Sequence, residues 1–458
     1  RHLITTAEDG SMKIWESATG KEIATVYAIN TSDFIISTPD YYYYATRNAK
    51  KEIGFTFGTK FYPFEQYDLQ YNRPDIVMDR LGCASPEMIR ALNLAYHKRL
   101  QKSGFTEEMF STDFHIPEAE IADASAIPFS TADPVLKIRI KARDDKYDLD
   151  RINVWVNDVA IYGANGYSLR DKKVNRFEEQ VTLNLSHGIN RIRVSCMNEK
   201  GVESLRETAE ITLNAPVDVK PDLHIIVIGA SEYASKDWNL NYAAKDAQDV
   251  ASIFQNQKGN FGKINTTVLV NSEVTSENIL RLKPQLMKTK VDDKVLIFYA
   301  GHGLLDENLD YYLATYNVNF DKPSEGGLSY DKLNSLLDSI PAREKILLID
   351  ACHSGEVDKE ETIMADVKDQ GGIVFRGARP RGYKSGAEVS YNNSFELMKE
   401  MFSDLRKGTG AMVISSAGSP PAESGNRTRR VSEHIPLRIG SLPVIRPARL
   451  GVHTEAAT

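Results

Sequence analysis

The C-terminal half of this 458-residue chain repeats a pattern that few folds satisfy: a short, continuously apolar, β-branched run followed by an amphipathic stretch. The runs are residues 223–229, 267–271, 295–300, 345–350 and 411–416. A strand with one wet face alternates apolar and polar residues, whereas a strand apolar throughout must be covered on both faces. Helical spacings fill the gaps. The first has Ala244, Ala247, Val250, Ala251 and Phe254 on one face, and the second opens at Ser276 with Ile279, Leu282 and Leu286. A third is capped by Ser329 and carries Leu333, Leu336, Leu337 and Ile340, and a fourth carries Phe395, Met398, Phe402 and Leu405. This repetition predicts an α/β domain whose mainly parallel sheet is flanked by helices and joined by right-handed crossovers. Sheets of this kind gather ligands beyond the carboxyl ends of their strands.

Two motifs fall at those ends. One run leads into Gly301-His302-Gly303, and the next into Asp350-Ala351-Cys352-His353-Ser354-Gly355. If the two strands are neighbours, a thiol and an imidazole meet at the sheet edge. There the imidazole can exchange the proton while the thiolate attacks a carbonyl. The glycines beside His302 let backbone approach a substrate, and the amides of Gly303 and Cys352 are placed to hydrogen-bond a developing oxyanion. A buried Cys alone is usually inert packing, and a lone strand-end His usually structural. His353, the immediate neighbour of Cys352, reads as a structural or loop residue.

With these motifs, residues 222–419 resemble the caspase-like cysteine peptidases, the clan of caspases, metacaspases and paracaspases. His302 lies upstream of Cys352 by 50 residues, in the caspase order. The resemblance implies that His302 is the general acid/base and Cys352 the nucleophile of a cysteine-type endopeptidase. Caspases carry Gln two residues before the nucleophile; this chain has Asp350 there, as metacaspases do. Asp246 falls where metacaspases place a second pocket carboxylate, although it also reads as an ordinary helix-face or helix N-terminal acid. Two recessed carboxylates favour a cation, so cleavage after Arg or Lys is expected rather than after Asp. The segment 356–393 occupies the position of the clan's processing loop. Its Arg376, Arg381 and Lys384 are candidates for self-cleavage, and it reads equally as a solvated loop. No cofactor or metal is expected; the resemblance raises calcium activation, but no oxygen-ligand spacing supports a site. After residue 419 the clan's substrate-binding loop, aromatic-containing helix and sixth strand are not recognisable.

Upstream, residues 131–214 switch to period-two alternation: Leu136, Ile138, Ile140, then Ile152, Val154, Val156, with turns at 163–166 and 186–190. This predicts an immunoglobulin-like β-sandwich acting as a spacer, with Cys196 a buried small hydrophobe. Residues 214–221 read as a linker. Residues 81–130 read as a connecting segment, with a helix over 85–103 carrying Met88, Ile89, Leu92, Leu94 and Leu100. Within residues 1–80, two strands flank Asp9-Gly10, Trp15 ends the second, and a third follows Thr19-Gly20. This resembles the end of a WD-repeat β-propeller, with Glu16 where the hallmark has Asp. A single blade cannot bury its own faces, so position 1 reads as a cut through a longer protein. Residues 420–458, with five prolines, six arginines and no aromatic residue, read as an atypical tail, disordered or replacing the genuine terminus.

The formal charge of −7 offers no basic excess for nucleic acid, and no apolar run approaches the roughly 18 residues of a membrane span. Three cysteines at 83, 196 and 352 support neither a disulfide framework nor a metal knuckle and fit a reducing compartment. The expected partners are a protein or peptide substrate and a protein bound by the propeller; the expected setting is bacterial cytoplasm. The alternative is a non-catalytic WD-repeat scaffold with an inactive or truncated caspase-like domain. Another Cys-His hydrolase, such as an amidase, is the second.

Overall fold

The computed structural model describes residues 2–8, 10–30, 33–46, 49, 54–57, 60–215, 220–257, 259–306, 310–351 and 409–415. Strands β1 (His2–Thr6), β2 (Ser11–Glu16), β3 (Glu22–Ala28), β4 (Phe34–Ser37) and β5 (Tyr43–Ala45) form one antiparallel sheet in chain order. Gly10 and Gly20 turn the first two corners at φ +81° and +68°, a region closed to most side chains. The Trp15 indole donates to Thr5 Oγ1 across the first pair, 2.8 Å. The sheet has five strands, one more than a propeller blade. A hairpin, β6 (Gly54–Phe57) with β7 (Lys60–Pro63), precedes helices α1 (Asp68–Tyr71), α2 (Pro74–Leu81) and α3 (Pro86–Ser103). Helix α3 starts where the sequence places it, with Ser85 Oγ accepting from the Met88 amide. Its buried stripe is Leu92, Tyr96 and Leu100 with Ala91, so the apolar face turns onto Tyr96 rather than Leu94.

Two sheets follow, antiparallel apart from the parallel β9–β16 pair. One joins β8 (Glu118–Ile121), β10 (Val135–Arg143) and β14 (Arg176–Asn184). The other joins β9 (Ser130–Thr131), β11 (Leu149–Val156), β12 (Val159–Ala160), β13 (Tyr167–Ser168), β15 (Gly188–Asn198) and β16 (Glu207–Leu213). Ile138, Ile140, Val181 and Leu183 of the first sheet share a core with Val154, Val156, Ile192, Val194 and Cys196 of the second. Strands β8 and β9 belong to these sheets although they begin before residue 131; at four and two residues they are too short to show alternation. Burial pushes the Cys196 thiol up to about 12, keeping it protonated. Strand β11 is buried on both faces, and its buried charges Asp150 and Arg151 pair at 2.5 Å. Arg151 and Arg170 then donate to the carbonyl of Ser103 at the end of α3.

The third unit is the parallel sheet, in the order β18 (Ile264–Val270), β17 (Leu223–Gly229), β19 (Lys294–Ala300), β23 (Glu344–Asp350), β24 (Met412–Ser415). Successive residues point to opposite faces. Ile225, Val227, Leu296 and Phe298 pack against Ala243, Ala247 and Ala251 of α4 (Ala243–Gln255). Ile226, Ile228, Ile297 and Leu347 pack against Ile279, Leu286, Leu333 and Leu336. These last come from α5 (Ser276–Leu280), α6 (Lys283–Leu286) and α7 (Tyr330–Leu337). The helix expected from Ser276 is two short ones, because Pro284, in the first turn of α6, cannot donate into a continuing helix. A small antiparallel sheet, β20 (Gly303–Leu305), β21 (Tyr311–Leu313) and β22 (Leu328–Ser329), rises directly from the end of β19. The helix expected around Phe395–Leu405, the segment 356–393 and residues 420–458 lie outside the described residues. No helix among the described residues is long and apolar enough to cross a membrane.

Candidate active site

Three strand tips align. Gly229, Ala300 and Asp350 are register partners across β17, β19 and β23. The ladder runs one step further: the Ala230 amide donates to Ala300 O, 3.0 Å, and the Gly301 amide to Asp350 O, 3.2 Å. In the sequence, His302 and Cys352 each follow one member of the Ala300–Asp350 pair by two residues. Cys352 and His353 lie outside the described residues.

The His302 imidazole is nearly buried at 8% exposure, between Tyr233, Trp238 and Phe320, with ring centroids 5.3, 6.0 and 5.7 Å away. Its Nε2 lies 2.9 Å from the carbonyl oxygen of Trp238. A carbonyl can only accept, so Nε2 carries the hydrogen and Nδ1 keeps the lone pair for proton exchange. Burial draws the imidazole pKa below its ordinary value, and the Trp238 carbonyl offsets only part of that. Trp238 in turn stacks on Phe320, centroids 4.4 Å apart and planes 5° from parallel. The neighbouring glycines have a steric cause. A Cβ at Gly301 would lie 2.5 Å from Tyr299 Oη, and one at Gly303 would run into Tyr311 Oη.

Gly303 pairs with Leu313, while the Ala314 amide donates to His302 O at 2.9 Å. That alternation makes Gly303–Leu313 a non-hydrogen-bonded pair, which leaves the Gly303 amide outside the β20–β21 ladder. Asp350 is exposed at the tip of β23. Asp246 sits in the first turn of α4, which follows the loop from the tip of β17. Its carboxyl is raised above the usual range, first by burial and then by the nearby Asp350 charge. Lys245 offsets only part of this and is itself paired with Asp249. The fold thus brings the two acids named from the sequence close enough to repel each other. Among the described residues no group of three or more His, Cys, Asp or Glu converges as a metal site would.

Sequence reasoning missed Tyr233, Trp238, Tyr299 and Phe320. Trp238 contributes its main-chain oxygen, which leaves no trace in residue identity, and Tyr233 lies in an irregular loop without periodicity.

No curated protein matches the chain. Among solved structures, a protein from Geobacter sulfurreducens is 22% identical over 30% of this chain and 52% of its own, with a TM-score of 0.24. A pro-sf-caspase-1 structure is 15% identical over 37% and 62%, at 0.23. Fibronectin(III)-like modules of Clostridium thermocellum are 15% identical over 22% and 48%, at 0.16. The chain therefore spans 48% to 62% of these structures' own lengths, and the low scores describe partial likeness only. Residues 223–431, the stretch that contains the parallel sheet with His302, Asp246 and Asp350, match the family model of the caspase domain, peptidase family C14.

Proposed function

We propose that the region matching the caspase domain is a cysteine endopeptidase working through His302 and Cys352. The observation that carries this reading is the register: a neutral, oriented imidazole stands two residues past Ala300, opposite the strand whose next residues are Ala351 and Cys352. In the proposed reaction His302 Nδ1 takes the thiol proton as sulfur attacks the scissile carbonyl. The Gly303 and Cys352 amides hold the oxyanion. His302 then gives the proton to the leaving amine, and water hydrolyses the acyl-enzyme with the same nitrogen as base. The steps need no metal or cofactor.

Asp246 and Asp350 form the primary specificity pocket in this proposal, which selects Arg or Lys before the scissile bond. Mutual repulsion that raises Asp246 is relieved by a bound cation. The domain spans about 222–419. The sandwich of 131–214 is a spacer joined to it by the linker 214–221, the segment 81–130 connects the sandwich to what precedes it, and the sheet in 1–80 belongs to a propeller that recruits a protein partner. The enzyme acts in a reducing, cytoplasmic compartment. A panel of fluorogenic peptides tests the reading. Cleavage after Arg or Lys that is lost in both Cys352→Ala and His302→Ala is expected, and preference for an Asp-ended peptide overturns the specificity. A parent chain that cleaves none of the peptides and resists a thiol-directed probe at Cys352 favours the scaffold alternative.

A further inference from the structure

Resting on the dyad proposed above, we infer that Tyr233 and Tyr299 are positioning residues that grip the main chain of His302 from both sides and so fix where its imidazole stands. The Tyr233 hydroxyl accepts from the His302 amide, 3.2 Å. The Tyr299 hydroxyl lies 3.0 Å from His302 O and 2.8 Å from Ala314 O, and donates to these carbonyls. The two hydroxyls are close enough to influence each other electrostatically. Both ends of the His302 main chain are thereby used: its N–H donates to Tyr233, and its carbonyl, with that of Ala314, accepts from Tyr299.

Both tyrosines are buried, at 2% and 1% exposure, and both phenols are held well above their ordinary pKa by that burial. They stay protonated and hold the main chain rather than act as bases. The grip spans elements: Tyr233 comes from the loop after β17 and Tyr299 from β19 itself, one strand away from β23. The same loop supplies the Trp238 oxygen that fixes Nε2. His302 is thus held at its amide, its carbonyl and its ring, leaving Nδ1 as the atom still able to exchange a proton. Gly301 is the cost of the arrangement, since both hydroxyls crowd the place where its Cβ would be, at 2.5 and 3.1 Å.

The test removes one hydroxyl at a time, with Tyr299→Phe, Tyr233→Phe and the double variant. All are made in a Cys83→Ser background, because Cys83 is exposed and would react as well. Two readouts are taken: kcat and KM on an Arg-ended peptide, and the pH dependence of Cys352 alkylation by iodoacetamide. A shift in imidazole position of about 1 Å can cost about a hundredfold in rate. Tyr299→Phe should therefore lower kcat by about tenfold to a hundredfold with KM within about twofold. It should also move the alkylation midpoint to higher pH, as the thiolate loses its imidazole neighbour. Tyr233→Phe should move both readouts in the same direction. Tyr312→Phe, whose hydroxyl bonds Asp306 instead, serves as control and should leave both unchanged. Should Tyr299→Phe fail to fold, Tyr233→Phe decides by the same readouts. Variants that melt earlier yet keep the parent's kcat and alkylation profile overturn the positioning role and leave the dyad standing. A His302→Ala chain that alkylates like its parent overturns the dyad, and the positioning role with it.

Discussion

At the scale of single residues, the base role proposed for His302 rests on its being dry. A solvated imidazole titrates near pH 6.5 and is partly charged where a base is needed. Here burial depresses that value, so the ring is neutral, and able to accept, throughout the neutral range. The acid limb of kcat/KM should accordingly fall below pH 6.5, with a midpoint above 7 counting against His302 as the base. Stability follows the same sign. The unfolded state takes up a proton near pH 6.5 that the folded state refuses, so this group's contribution is present above that pH and lost as pH falls. The acid pair makes a second prediction. Removing either charge by Asp350→Asn or Asp246→Asn should cost about 10- to 100-fold in kcat/KM for an Arg-ended peptide, the range of one charge-assisted hydrogen bond. A neutral-ended peptide should be affected far less, and equal losses on both would place the acids outside the pocket. The position of His302 and Asp350 at neighbouring strand ends was legible because each lies at the end of an apolar run of the parallel sheet. The Trp238 oxygen, the second hold on the ring, was not, because every residue carries one.

At the scale of elements, the sheet was legible for a plain reason. Strands covered on both faces must be apolar at every position, and β17 and β19 are buried almost throughout. Legibility failed where tertiary contacts replace local pattern. Strands β8 and β9 exist only because β10 and β16 offer them edges. Strand β23 hides a departure from the rule, since Lys345 takes a position whose neighbours two and four residues on, Leu347 and Ile349, are core. Its ammonium, 2% exposed, donates to Thr409 O at 2.8 Å, and burial draws its pKa down to about 8. Between about pH 8 and the unfolded value of 10.5 the unfolded chain keeps a proton that the folded chain has released, so stability from this group rises with pH across that window. Lys345→Met should therefore stabilise the protein at pH 7, by on the order of 2 kcal/mol, and the gap should close towards pH 10.5. Paired urea melts at the two pH values measure it, and a gap independent of pH would falsify the burial argument.

At the scale of the whole molecule, the β-sandwich meets the parallel sheet at the end where its strands start, opposite the tips that carry His302 and Asp350. Arg343, one residue before β23, is buried at 7% exposure and reaches into the sandwich loop. It donates to Ser186 Oγ at 2.6 Å, to Asn190 Oδ1 at 3.2 Å and to the Asn184 carbonyl. The same loop returns a bond, from the His187 amide to Asp292 Oδ1 at 3.1 Å. Burial draws even this guanidinium down to about 10, with Asp292 opposing, so the contact is held against a real desolvation cost. An interface anchored on the base of β23 steadies the strand whose far tip presents Asp350, and does so without touching the site. Arg343→Ala leaves three acceptors facing an emptied pocket, a change expected to cost about 3 kcal/mol. Hydrogen exchange on the intact chain is the suitable measurement. Amides of 184–190 and of β23 should lose protection together, while those of β10 and β14 away from the loop keep theirs. Faster exchange in β23 with the loop unchanged would mean that Arg343 serves only its own sheet, and that the sandwich is tethered rather than docked.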